Sequence, residues 1–371
     1  RRTMDMSSMN LGSREGRSLM QFSAFTDASD REHLVDDRDN RWFKQLCTNT
    51  PHTKKGQRAQ LIRMLMVPFL PIVGIAIYSS LNLSQAVNRE AELFAIEKDI
   101  NIAHDLAEVI HVLEMERALS VYYIARRTNQ ARTVLIDQHS DTDRTISKLT
   151  EWPKLSEEKY KSGEFMAYAN IDMFYNWLQQ ERNKVTGGRD SMYNAIIFYN
   201  KANAYFLDAV RNRIKLVPIK SVRKLMISMN NYARGKEDFG IILTMVMEFV
   251  LEEKLTMAER VIFLAAEALG DEHMATAIAY APDSQKQYQD LLVEYPEVEP
   301  FVNQAREAVR QDSIEACVDC TPQRVLKMLM TYMDILKLVT DDLERQVIDT
   351  IRSEIGKAKV KVSYIDVVSR F

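Results

Sequence analysis

The sequence predicts an all-α protein: two stacked up-down four-helix bundles sharing their longest helices, preceded by one transmembrane helix. Three observations lead there. Strand-like alternation of polar and apolar residues is absent, while helical periodicity recurs along the chain. Glycine and proline are few, 11 and 9 in 371 residues, and the stretch from Ser84 to Trp152 contains neither. From Met64 to Leu83 the chain reads MLMVPFLPIVGIAIYSSLNL, without a charged side chain. About twenty helical residues rise about 30 Å, the depth of a bilayer's hydrocarbon core. Pro68 and Pro71 are tolerated in such a span, and they are awkward in a soluble core helix, the competing reading.

Residues 1–60 are polar, rich in Ser, Asp and Arg, and carry little periodicity, so they are expected to form a disordered cytoplasmic tail. The transmembrane helix is placed at 61–84. Lys54, Lys55, Arg58 and Arg63 precede it, whereas Arg89 and Lys98 beyond it are interleaved with Glu90, Glu92, Glu97 and Asp99. Basic flanks stay in the cytoplasm, so the N-terminus is expected inside and residues 85–371 outside the plasma membrane. The span then continues as one long helix, with Leu106, Ile110, Leu113, Arg117, Val121 and Ile124 on one stripe.

A shorter helix is expected from Arg132 to Trp152, then a loop to Gly163. Phe165 to Val185 follows, stopped at Gly187–Gly188. Asp190 or Ser191 caps a helix running to Val217, and Pro218 stands at the start of the next, where its missing N–H costs nothing. That helix runs from Ile219 to near Gly235. Gly235 and Gly240 mark a break or kink, Ile241 to Leu269 forms a central apolar helix, and Gly270 closes it. Two weaker helices, Glu272–Val293 and Val298–Ala316, flank the turn at 295–300, and a last long one runs from Pro322 to about Lys357. Short loops between such helices favour antiparallel neighbours. Residues 85–357 thus form one helical domain. Residues 358–371 read as a truncated juxtamembrane tail, with a second membrane segment and an effector expected beyond it.

A net charge of −3, with no concentrated basic stripe, argues against nucleic-acid binding. Only 6 His are present, and His104 and His111 lie two turns apart rather than at the i, i+4 spacing of a metal pair. No phosphate loop or nucleophile elbow is found, so this chain is read as no enzyme, with no cofactor and no metal. Cys317 and Cys320, in CVDC, lack the further soft ligands that zinc requires; they form a local disulfide or two partly buried thiols.

Two fragments place an arginine within a strongly apolar helix: Leu113-Glu-Met-Glu-Arg-Ala-Leu-Ser120, and Glu253-Lys-Leu-Thr-Met-Ala-Glu-Arg260 running on to Phe263. Arg117 occupies the stripe of Ile110, Leu113 and Ile124, and Arg260 shares a face with Met257, Val261 and Leu264. A core-facing arginine is costly unless a negative group meets it. Either the arginines pair with an internal carboxylate (Glu114, Glu116, Glu253 or Glu259) or snorkel to a rim, or both guanidinium forks grip a small planar oxyanion. Ser120 and Thr256 would then supply hydroxyl donors.

These fragments, in this order, resemble the NIT domain, the nitrate- and nitrite-sensing module, whose helices carry an E-R-G-x-S-like and a K-E-x-x-G-x-E-R-like signature. The stretch Leu178 to Val185, followed by Tyr193 to Ala209, is similar to the family's middle section, and the resemblance covers roughly 100–345. It implies an all-helical sensor of two four-helix bundles, with nitrate or nitrite held between helices by Arg117 and Arg260. This chain departs from the pattern at Ala118, in the reversed Glu253–Lys254 order and at Met257, where the family carries small residues or Lys-Glu. The resemblance further implies a receptor signalling to an output domain, which in animals can be a guanylate cyclase; a homodimer in the membrane is expected because a lone membrane helix transmits little without a partner. The rival reading is a helical ectodomain for protein–protein interaction or adhesion, with no small ligand. A chemoreceptor ectodomain with a larger apolar site shares the fold.

Overall fold

The computed structural model describes residues 54–154, 166–214 and 219–369. The described residues are helical throughout, with no strand. In chain order the helices are α1 (Lys54–Arg126), α2 (Asn129–Ser147), α3 (Ile171–Thr186), α4 (Met192–Ile214), α5 (Lys220–Glu252), α6 (Met257–Tyr280), α7 (Asp283–Glu294), α8 (Val298–Gln311) and α9 (Pro322–Ser369). Single 3-10 turns lie at Met166–Tyr168 and Ile314–Ala316. Of the tail expected at 1–60, residues 1–53 fall outside the described residues, as do most of the loop before Gly163 and Pro218, whereas 54–60, expected disordered, form the first turns of α1.

The chain divides into two units after Leu81. In the first, α1 carries Pro68 and Pro71 within the helix and exposes Leu65, Val67, Leu70, Ile72 and Ile75. Among the described residues this is the one helix long and apolar enough to cross a membrane.

The second unit is a helical bundle whose organiser is the remainder of α1. Leu106, Ile110, Leu113, Arg117 and Val121 are all buried, as the helical stripe requires. Polar contacts tie this helix to α2 (Gln138 donates to Val112 O), α3, α4, α5 and α9 (Lys337 to Glu108, 2.6 Å). Around α3 and α4 a tightly packed set of rings, Trp152, Tyr168, Phe174, Trp177, Phe198 and Phe206, fills the core. Caps follow from sequence: Thr128 accepts from Ala131 N, Asn170 from Met173 N and Ser191 from Asn194 N. Gly187 ends α3, and Gly188 takes a left-handed φ of 68°. Cys317 and Cys320 form a disulfide.

Three expected boundaries are corrected. Gly235 and Gly240 lie inside α5, and Gly270 lies inside α6. These glycines mark close approach rather than breaks. A Cβ at Gly235 would come 2.9 Å from Met274 Sδ, and one at Gly270 would come 3.2 Å from Asp238 Cβ, so α5 and α6 cross on a bare backbone. The true break is at Glu253, which takes φ 58°, followed by Thr256, whose hydroxyl accepts from Glu259 N while the Glu259 carboxylate accepts from Thr256 N. That capping box starts α6. The third boundary is at Pro282, where the expected Glu272–Val293 helix is divided between α6 and α7.

Candidate functional site

Helix α1 brings four polar residues, Glu114, Glu116, Arg117 and Ser120, into full burial within two turns. They serve two separate networks. In the first, Arg117 Nη1 donates to Glu237 Oε1 (2.5 Å) and Asn200 Oδ1 (2.6 Å), and Nη2 donates to Glu237 Oε2 (3.2 Å). Asn203 Nδ2 adds a hydrogen bond to Glu237 Oε2 (2.9 Å). The neighbouring Lys236 ammonium lies 2.9 Å from Glu114 Oε2 and 3.3 Å from His111 Nδ1, and Asp334 lies 3.6 Å from His111 Nε2. The guanidinium fork, fully buried, has no hydrogen-bond partner at Nε. Gly240 makes room for it: a Cβ there would stand 2.6 Å from Arg117 Nη2.

The electrostatics of this network are tense. Burial, with Glu114 close by, pushes the Glu237 carboxyl up to about 7 against the pull of Arg117. Burial and the Lys236 charge push His111 down to about 3, so its ring is neutral and can accept from Lys236. Burial raises the Asp334 carboxyl as well.

The second network centres on Glu116. It receives Arg182 Nε and Nη2, both at 2.8 Å, and the Tyr199 hydroxyl at 2.8 Å. Arg182 Nη1 also reaches Asp143 (2.7 Å). Burial would raise the Glu116 carboxyl, but the Arg182 hydrogen bonds and charge outweigh it and hold it below the usual range. Ser120 belongs here, with its hydroxyl 3.4 Å from the Tyr199 hydroxyl.

The expected four-residue site is therefore dispersed. Arg117 lies in the first network and Ser120 in the second. Arg260, in the first turn of α6, pairs with Asp312 at the end of α8, and Thr256 is occupied as the α6 cap. The expected face of Met257, Val261 and Leu264 is exposed, not core-facing. Each expected arginine meets a carboxylate, but the partners are Glu237 and Asp312 instead of the four local glutamates. Three of those candidates are engaged elsewhere, Glu116 by Arg182, Glu114 by Lys236 and Glu259 by the cap, and Glu253 is exposed.

What the sequence reading missed is the segment Lys236-Glu237-Asp-Phe-Gly240. It matches K-E-x-x-G without reversal, and α5 places its Glu and its Gly directly on Arg117. The signal was available in the residue order. Continuing the same signature, the Glu-Arg positions fall on Ile242 and Leu243, both fully buried. The second guanidinium of the expected pair thus has no counterpart in this register.

A family model described as nitrate and nitrite sensing, NIT, matches residues 108–348. No curated protein matches the chain. Among solved structures, that of the NasR transcription antiterminator is similar, with a TM-score of 0.57 over 81% of this chain and 83% of that one. At 11% identity the likeness is one of fold.

Proposed function

The chain belongs to the NIT, nitrate- and nitrite-sensing, family, and from that premise we propose that it is the sensory part of a membrane receptor whose buried Arg117 reads a small planar oxyanion. The observation that carries this reading is the meeting of two motif segments, Glu116–Arg117 on α1 and Lys236-Glu237-x-x-Gly240 on α5, at one guanidinium. A planar anion suits the in-plane N–H groups of such a fork, and buried charge-assisted bonds are strong. The Asn200 and Asn203 side chains border the same spot and can turn an amide N–H toward an anion.

Glu237 is the competitor. It occupies the fork, and its raised carboxyl can take up a proton near neutrality and release Arg117. Anion binding is then coupled to protonation of Glu237, and exchange of the ligand shifts α1 against α4 and α5. The same helix α1 contains the candidate membrane span. We place the N-terminus in the cytoplasm, residues 85–371 outside the plasma membrane and the receptor in a homodimer, since a single span needs a partner to transmit a change.

The second reading, an interaction ectodomain without a small ligand, is favoured by Leu243 at the second arginine position and by the carboxylate already on Arg117. Calorimetric titration of the full chain in lipid nanodiscs with nitrate and nitrite, against chloride and sulfate, separates the two. For an anion of three or four heavy atoms, a ceiling of about −1.5 kcal/mol per atom limits Kd to roughly tens of micromolar or weaker. The oxyanion reading expects saturable heat with nitrate or nitrite, lost in Arg117→Ala and kept in Arg260→Ala, with helicity by circular dichroism retained. Absence of heat with both anions selects the second reading.

A further inference from the structure

A cavity lies away from Arg117, where α4 and α6 begin and α5 ends. It has a volume of about 560 Å3, the size of a small-molecule site. Its polar lining is acidic: Glu248 and Glu252 from α5 and Glu259 from α6. Glu248 is 4% exposed, and its Oε2 has no hydrogen-bond partner. A buried carboxylate in that condition is costly unless something meets it. Glu259 has one oxygen engaged on the Thr256 N–H, and Lys254, the cation of the lining, is exposed.

We propose that this cavity binds a small organic cation, a protonated amine or quaternary ammonium with a compact apolar body, with Glu248 as its charge partner. The walls fit such a body. Ile124, Met192 and Leu255 are apolar, and the lining includes the half-buried Tyr193, an aromatic ring of the kind that attracts an ammonium. An anion would face three carboxylates. A metal ion is a poor match, because no group of three acidic, His or Cys residues among the described residues is arranged to hold one. Burial and the neighbouring Glu259 and Glu252 raise the Glu248 carboxyl to about 8, and a bound cation relieves that repulsion. The site shares no residue with the Arg117 network and stands whether or not that network binds an anion.

The test is calorimetry on the full chain in nanodiscs with choline, phenethylammonium and putrescine, each beside an uncharged isostere in which a carbinol or alkyl group replaces the ammonium centre. The expected result is saturable binding of at least one ammonium, with its isostere at least about tenfold weaker, and loss of that preference in Glu248→Gln. Glu252→Gln, at an exposed position, provides a second reading if the Glu248 variant melts early. Equal binding of cation and isostere, or an unchanged preference in Glu248→Gln, overturns the assignment. So does silence from all three ammonium probes at about 10 mM, below which a selective site would respond.

Discussion

Arg117 and Gly240 are a matched pair, because the space a side chain would take at Gly240 is filled by the guanidinium Nη2. The guanidinium cannot swing aside without leaving Glu237 and Asn200. Gly240→Ala is therefore expected to cost about 2 kcal/mol or more through overpacking and a broken buried pair. Gly356→Ala is the control. A Cβ there meets nothing within 4 Å on α9, so the change should stabilise by about 0.5–1 kcal/mol. Chemical denaturation of both variants checks the pair, and equal effects would remove the steric argument. The burial of Arg117 was legible from its place in an apolar helical stripe. Its partner, Glu237, lies 120 residues away with no local rule to link the two, and was legible only through the K-E-x-x-G order of Lys236 to Gly240.

At the scale of helices, most elements were legible from caps and periodicity, and two of the three corrected boundaries share one cause. Glycine both ends helices and lets them touch, and sequence alone does not separate the two uses. Gly235 and Gly270 serve the α5–α6 crossing, while the break falls at the Thr256-x-x-Glu259 capping box. Gly270→Ala, whose Cβ would press on Asp238 Cβ, is expected to lose about 1–3 kcal/mol. Thr256→Ala should lose about 1 kcal/mol as a lost cap and leave anion affinity unchanged. Loss of nitrate binding in Thr256→Ala, at retained helicity, would return the hydroxyl to the ligand site.

Across the whole molecule, buried ionisable groups set how stability varies with pH. Glu237 and Glu248, raised to about 7 and about 8, bind protons more tightly folded than unfolded. Their contribution is complete below the unfolded carboxylate range and is lost as pH rises through those values. His111, lowered to about 3, acts oppositely: its contribution is present above the ordinary His value and lost as pH falls. The melting temperature should therefore decline from about pH 5 to about pH 8, more steeply above about pH 6.5 where His111 no longer offsets it, with a slope of up to about 1.4 kcal/mol per pH unit for each carboxyl. Glu248→Gln should flatten the upper part of that decline, and an unchanged profile would show that Glu248 titrates normally. The all-helical architecture was readable because helical period and scarce breakers persist along the chain. The wiring of its charges was not, because it joins α1 to α3, α4, α5 and α9 across long sequence intervals.

The claim on which the rest depends is that Arg117 is an anion site guarded by Glu237. The most direct measurement is nitrate affinity of the intact chain and of Glu237→Gln, by calorimetry at about pH 6 and pH 8. The account predicts weaker binding to the unmodified chain at the higher pH, where Glu237 ionises and reclaims the guanidinium, by roughly tenfold. It predicts tighter binding by Glu237→Gln at that pH, with the pH dependence gone. A Glu237→Gln protein that folds but binds nitrate no better than the unmodified chain would contradict it.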